Sequence, residues 1–139
     1  MSFENMKELK EEIVHERACM MMYYFTSQEI KQIQNVARMT GIADCILLNA
    51  SHGQNTVRHI LDGQIKQGED ESVKEKAIIF NQVSAARMSA FIEGLKKCRI
   101  KRPLIAVVTA TSIEWTLNEL LENLASERAA LRSGDFSKH

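Results

Sequence analysis

The chain predicts an α/β fold: two tandem βαβα units forming a mainly parallel four-stranded sheet covered by helices, preceded by an N-terminal amphipathic helix. Three observations lead there. Short apolar runs at 18–25, 45–48, 77–80 and 104–108 are continuous rather than alternating, as in strands buried on both faces. Helical patterns stand between them, which is the order of a sheet with crossover helices. Finally, the second half repeats the spacing of the first.

Taken in order, Phe3, Met6, Leu9 and Ile13 recur at helical spacing among charges, predicting an amphipathic helix over residues 1–15. Residues 16–63 form the first unit. Its apolar run, with Met20, Met21 and Met22 as adaptable core filler, predicts a strand. Thr26-Ser-Gln-Glu29 has capping-box spacing and opens a helix with Ile30, Ile33, Val36 and Ala37 on one face. Gly41 suits the left-handed geometry beyond that helix. Cys45–Leu48 is the second strand, and a polar turn from Asn49 to Gln54 leads into a short helix with Val57, Ile60 and Leu61 inward, ending at Gly63.

Residues 64–74 lack a sustained apolar pattern and read as an exposed linker. The second unit spans 75–132, with 133–139 as a flexible tail. Met88, Phe91 and Leu95 echo Ile30, Ile33 and Ala37, and Ile100 echoes Ile42. After a two-residue insertion near Pro103, Leu47–Ser51 aligns with Val107–Thr111, and Asn55-Thr-Val with Trp115-Thr-Leu. A four-stranded parallel sheet with right-handed crossovers is expected, with two half-sheets related by a pseudo-twofold as the alternative. Either is taken to set the polar turns at the carboxyl ends of strands, where open α/β sheets bind ligands.

Composition narrows the function classes. The 139 residues suit one domain, and 18 basic residues balance 18 acidic ones, so no global field attracts a polyanion or an anionic membrane. Cys19, Cys45 and Cys98 are odd in number and lack CxxC spacing, which fits a reducing, cytoplasmic setting better than a disulfide framework or a zinc site. The charged N-terminus lacks the apolar core of a secretion signal, and no apolar run approaches bilayer length. A soluble, unprocessed protein with no membrane partner, metal or cofactor is expected.

The site candidates cluster at the two predicted strand-end turns. Thr111 and Glu114 have capping-box spacing, and the free N–H groups of a helix starting there could hold an anion; simple capping is the competing reading. Trp115, the sole tryptophan, falls nearly opposite the helical stripe of Ile113, Leu117, Leu120, Leu121, Leu124 and Leu131. Its ring then covers a turn, meets a partner chain or borders a ligand. Thr109 and Ser112 lie in the same turn, with Asn49, Ser51 and His52 in the equivalent turn of the first unit. His52 could act as a base near neutral pH, or be an exposed turn histidine. Lys96, Lys97, Arg99, Lys101 and Arg102 gather at a predicted helix end, where cations complement the dipole; without aromatic interleaving, nucleic-acid binding there is the weaker, third reading.

Phe80-Asn-Gln-Val-Ser84, Phe91 with Leu95, Ala106-Val-Val-Thr109, Trp115-Thr116 and Glu127-Arg128 together resemble the bacterial family called domain of unknown function 3783, over residues 75–131. Ser112 departs from that pattern, which has asparagine there. The resemblance implies the fold and the Trp115 segment, and no reaction. The expectation is therefore a small cytoplasmic binding or interaction module using the strand-end turns and Trp115, with a homodimer or protein partner. The alternative is a small-molecule or anion-binding domain, or a minor enzyme, whose crevice would bring His52, Thr109, Thr111 and Ser112 together on a small anionic ligand.

Overall fold

The computed structural model describes residues 13–132. The helix expected over 1–15 and the tail over 133–139 lie outside them, apart from residues 13–15, which have no regular secondary structure. The elements follow as β1 (Cys19–Tyr23), α1 (Ser27–Met39), β2 (Cys45–Leu48), α2 (Val57–Leu61), β3 (Ala77–Asn81), α3 (Ala85–Lys97), β4 (Leu104–Val107) and α4 (Leu117–Arg132). Single 3₁₀ turns at Ala50–His52 and Ser112–Glu114 precede α2 and α4.

The sheet order is β2-β1-β3-β4. β1 runs parallel to β2 and β3 parallel to β4, but β1 and β3 are antiparallel, with Met21 opposite Ile79. The sheet is mainly parallel, with two of its three pairings so, but the fully parallel arrangement is corrected: the two parallel pairs join through an antiparallel centre. Continuous burial could not decide this, because a strand covered on both faces reads the same in either direction. The linker decides it. The buried Tyr23 hydroxyl donates to the Val73 carbonyl (2.7 Å), and the Asn118 carboxamide accepts from the Val73 N–H (2.9 Å). The chain is therefore delivered to the carboxyl end of β1, and β3 must start where β1 finishes.

A matching clamp closes the other end. The Asn81 amide, at the end of β3, donates to the carbonyls of His15 and Arg17 as the chain enters β1. Residues 64–71 of the linker are exposed as expected, yet the segment is tethered: Asn55 bonds both backbone groups of Lys66, and Gly68 N–H donates to the Ser51 carbonyl. Ser72 is buried beside Gly53.

Local geometry recurs at corresponding positions of the two halves. Thr26 and Ser84 cap α1 and α3, each accepting from the N–H three residues on. Tyr24 and Gln82 both have positive φ (70° and 57°), as do Gly41 and Arg99 (88° and 60°). Near the middle, Thr56 and Thr116 form an antiparallel bridge, with Val57 N–H donating to Trp115 and Leu117 N–H to Asn55.

Two apolar layers flank the sheet. One joins Met20, Met22, Ile78 and Phe80 to α1 and α3, with Phe80 and Phe91 edge-to-face at 5.7 Å. The other joins Met21, Tyr23, Ile79 and Leu104 to α2 and α4. Leu131, expected on the inner stripe of α4, is exposed because α4 outruns the sheet there. Helices α1 and α3 approach closely at Gly94, where an added Cβ would lie 2.5 Å from Val36 Cγ1.

Alanine in place of glycine would ordinarily favour a helix by about 1 kcal/mol. Gly94→Ala is instead expected to lower stability by roughly 1–3 kcal/mol, because Val36 is stiff at χ1 and cannot turn away. Urea unfolding of Gly94→Ala, Val36→Ala and the double variant checks this. The double variant should recover part of the loss.

Candidate functional site

Each strand-end turn is built by side chains that satisfy backbone groups. In the first, Asn49 Oδ1 accepts from the N–H of Ser51 (2.9 Å) and from its hydroxyl (2.6 Å), while the Asn49 N–H donates to His52 Nδ1 (3.0 Å). In the second, the Thr109 N–H donates to Ser112 Oγ (3.0 Å), the Ser112 N–H donates to Thr109 Oγ1 (3.0 Å), and the two hydroxyls lie 3.1 Å apart. Ser51 and Ser112 are both buried. Ser112, where the resembled family has asparagine, bonds only within its turn.

His52 therefore holds a specific tautomer, with Nδ1 unprotonated to accept and Nε2 carrying the hydrogen. Burial lowers its pKa below the ordinary histidine value. No carboxylate bonds its ring, so the orienting group that a catalytic histidine needs is missing among the described residues.

The expected capping box at Thr111 and Glu114 does not form. Thr111 is exposed and makes no side-chain cap bond. The exposed Glu114 pairs with Arg58 of α2, whose guanidinium holds the carboxyl below its usual range. The box lies five residues on, where Thr116 N–H donates to Glu119 Oε1 (2.8 Å) and Glu119 N–H to Thr116 Oγ1 (3.1 Å). Thr116-Leu-Asn-Glu119 spells the same signal as Thr111-Ser-Ile-Glu114. Leu117, fully buried, opens α4 at the second, while the first stays a single 3₁₀ turn in which Ser112 and Ile113 are already buried.

Moving the helix start changes the geometry of Trp115. It is an extended residue (φ −81°, ψ 157°) ahead of α4, so its position opposite a helical stripe does not apply. The ring is half-buried against the core layer under α2 and α4. With Thr109, Ser112, Val107, Leu124 and Glu127 it lines an open groove of about 210 Å³ between β4 and α4. The corresponding residue, Asn55, flanks the same Thr56–Thr116 bridge, is buried and grips Lys66.

Of the sequence candidates, Trp115, Thr109 and Ser112 share a groove, while Glu114 and Thr111 face solvent. Asn49, Ser51 and His52 lie in the other turn, and β2 and β4 end at opposite ends of the sheet because β1 and β3 are antiparallel. The geometry does not join the two turns in one crevice. Sequence reasoning missed Asn55 and Asn118, which anchor the linker at Lys66 and Val73; lone polar residues between helical patterns gave no sign of it. Among the described residues, no group of three or more His, Cys, Asp or Glu is placed to hold a metal ion, and no helix is long and apolar enough to cross a membrane.

The fold is mixed α/β, a four-stranded sheet with an apolar layer on each face. Residues 76–131 match the family model described as Domain of unknown function (DUF3783), the segment that carries β3, α3, β4, the Trp115 turn and most of α4. No curated protein and no solved structure matches the chain significantly.

Two outcomes follow for the turns. Thr116→Ala should cost about 1 kcal/mol in urea unfolding and Thr111→Ala a few tenths at most, since only the first caps a helix. The lowered pKa of His52 means the unfolded chain binds its proton more readily, so stability rises with pH through this window. Its contribution is complete above the ordinary histidine pKa of about 6.5 and falls away below it. Melting temperatures measured from neutral to mildly acid pH should decline less steeply in His52→Asn, whose side chain does not titrate.

Proposed function

We propose that the protein is a small cytoplasmic interaction module whose working surface is the β4–α4 groove around Trp115, and that its first partner is a second copy of itself. The observation that carries this reading is a sheet edge left uncovered by the described residues beside a half-buried tryptophan. β4 is the last strand of the sheet, and Leu104 and Val108 donate inward to β3, so the peptide groups at Ile105 and Val107 alternate outward. Val107 is 47% exposed. Such an edge is a template for strand addition, in which backbone hydrogen bonds supply affinity and adjacent apolar side chains supply register.

The opposite edge, β2, also presents an exposed aliphatic, Leu47. There, however, Asn55 holds the linker backbone at Lys66 in place of a tryptophan facing a groove. We read the two halves as tandem copies of one βαβα unit. In the first copy the linker residues Gln64, Lys66, Gln67 and Gly68 line the cleft beside Asn55, whereas the groove of the second is lined by β4, the Trp115 turn and α4. The three free cysteines suit a reducing cytoplasm.

Light scattering across a concentration series should give a dimer of the full chain, and Val107→Lys should shift it to monomer. Leu47→Lys, on the other edge, should leave the dimer intact. Fluorescence of Trp115 should shift to the blue as the dimer forms and not in Val107→Lys. A chain that stays monomeric throughout, or a dimer indifferent to Val107→Lys, overturns the reading.

A further inference from the structure

A second cleft, of about 280 Å³, opens at the carboxyl end of β1, where α1 begins and where β3 and β4 are entered. Five cationic side chains line it: Lys74, Lys76, Lys101, Arg102 and Arg128. Only two carboxylates, Glu29 and Glu75, stand against them, an excess of three positive charges on a chain that is neutral overall. Tyr24 forms part of the wall. Its ring stacks on the buried Tyr23 (centroids 6.0 Å, planes 28° apart) and is 36% exposed.

The positive charge is only partly spent. Lys76 pairs with Glu29 (2.6 Å), Lys74 reaches Asp70 in solvent (3.3 Å), and Arg128 Nη2 donates to the Arg102 carbonyl (3.1 Å). Lys101 and Arg102 have no side-chain partner among the described residues. Glu29 is already engaged by Lys76 and by the Thr26 N–H, so the carboxylate nearest the cleft floor is neutralised.

The fold supplies its own control. The corresponding notch at the end of β3, about 190 Å³, is lined by Ala18, Ala43, Asp44, Gln82 and Arg87 among others. Gln82 stands there in the same positive-φ position as Tyr24, and Arg87 where Glu29 stands. That notch has no exposed aromatic ring, and Asp44, itself paired with Arg17, faces Arg87 across it. The backbone cleft is thus compatible with neutral lining, and neither the cations nor the ring are demanded by the architecture. Lys101 and Arg102 lie in the segment that is two residues longer than its counterpart before β2.

We propose that this cleft binds a nucleoside phosphate, with Lys101, Arg102 and Arg128 holding the phosphate and the base lying on the exposed face of Tyr24. Guanidinium and ammonium groups converging on one mouth suit a phosphate dianion, and a phenol ring at its wall suits a flat heterocycle. The same chemistry is offered by a free nucleotide and by one residue of a single strand. The site is separate from the Trp115 groove and stands or falls independently of it.

Calorimetric titration of the full chain with adenosine monophosphate, and anisotropy with a labelled short oligoadenylate, test the assignment and distinguish the two sources. Binding of the monophosphate identifies a free nucleotide, and binding of the oligomer alone identifies a strand. Lys101→Glu with Arg102→Glu should weaken whichever binds by at least roughly tenfold, and added salt should weaken it further. Tyr24→Gln, which copies the residue tolerated at position 82, should cost roughly tenfold for the nucleotide ligand while leaving competition by inorganic phosphate unchanged. Circular dichroism melts of both variants verify that they fold. Failure of both probes to bind, or binding that survives the charge reversal, overturns the proposal.

Discussion

The antiparallel pairing of β1 with β3 is the constraint on which the other features rest. All ten of its residues are buried, and its register sets Met21 against Ile79 at the centre of the molecule. From it follow the parallel partners on either side, the opposite directions of β2 and β4, and the meeting of the two post-strand segments at Thr56 and Thr116. The pairing is enforced locally by polar side chains: the Tyr23 hydroxyl at one end and the Asn81 amide at the other hold the incoming chain by its backbone. Both groups are satisfied inside the core layer, where an unpaired donor would carry a desolvation cost of about 1–3 kcal/mol.

Because the halves follow the same course, the differences between them are more informative than either half alone. Asn55 stands where Trp115 does, Gln82 where Tyr24 does, and α2 has 5 residues where α4 has 16. Residues common to both positions mostly cap helices or fill the two apolar layers. What is left over, namely an indole beside an open sheet edge and a group of cations beside a phenol, has no architectural requirement behind it. Those are the places to look for recognition.

The hydroxyl, amide and imidazole groups that first suggested chemistry serve the backbone instead. Asn49, His52, Thr109 and Ser112 each hold or are held by a main-chain N–H in a turn that leaves a strand end. A strand that stops at the sheet rim and folds over one face must satisfy those donors within a few residues, and short polar side chains do so without extra volume. His52 shows the cost of such use. Its accepting nitrogen must stay unprotonated, which ties the first turn to pH.

The residues alone determined the elements and much of the core. The strand Cys45–Leu48, the Thr26–Glu29 box, the stop at Gly41 and the burial of Met20, Met21 and Met22 all follow from short-range pattern, since capping, left-handed geometry and apolar burial depend on neighbours in the chain. The resemblance over the second half was likewise legible from Phe80 to Arg128, and the family model covers that segment. Tertiary structure alone decided strand direction, because continuous apolar runs carry no polarity and the deciding contacts lie 45 to 66 residues apart in sequence. It also chose between two equally spelled capping boxes, at Thr111 and Thr116: the first became a single 3₁₀ turn and the second opened α4. With that choice Trp115 left the helix and took its place in the wall of a groove. The cleft beside Tyr24 was invisible for the same reason, since its cations come from the linker, the loop before β4 and the far end of α4, and only folding brings them together.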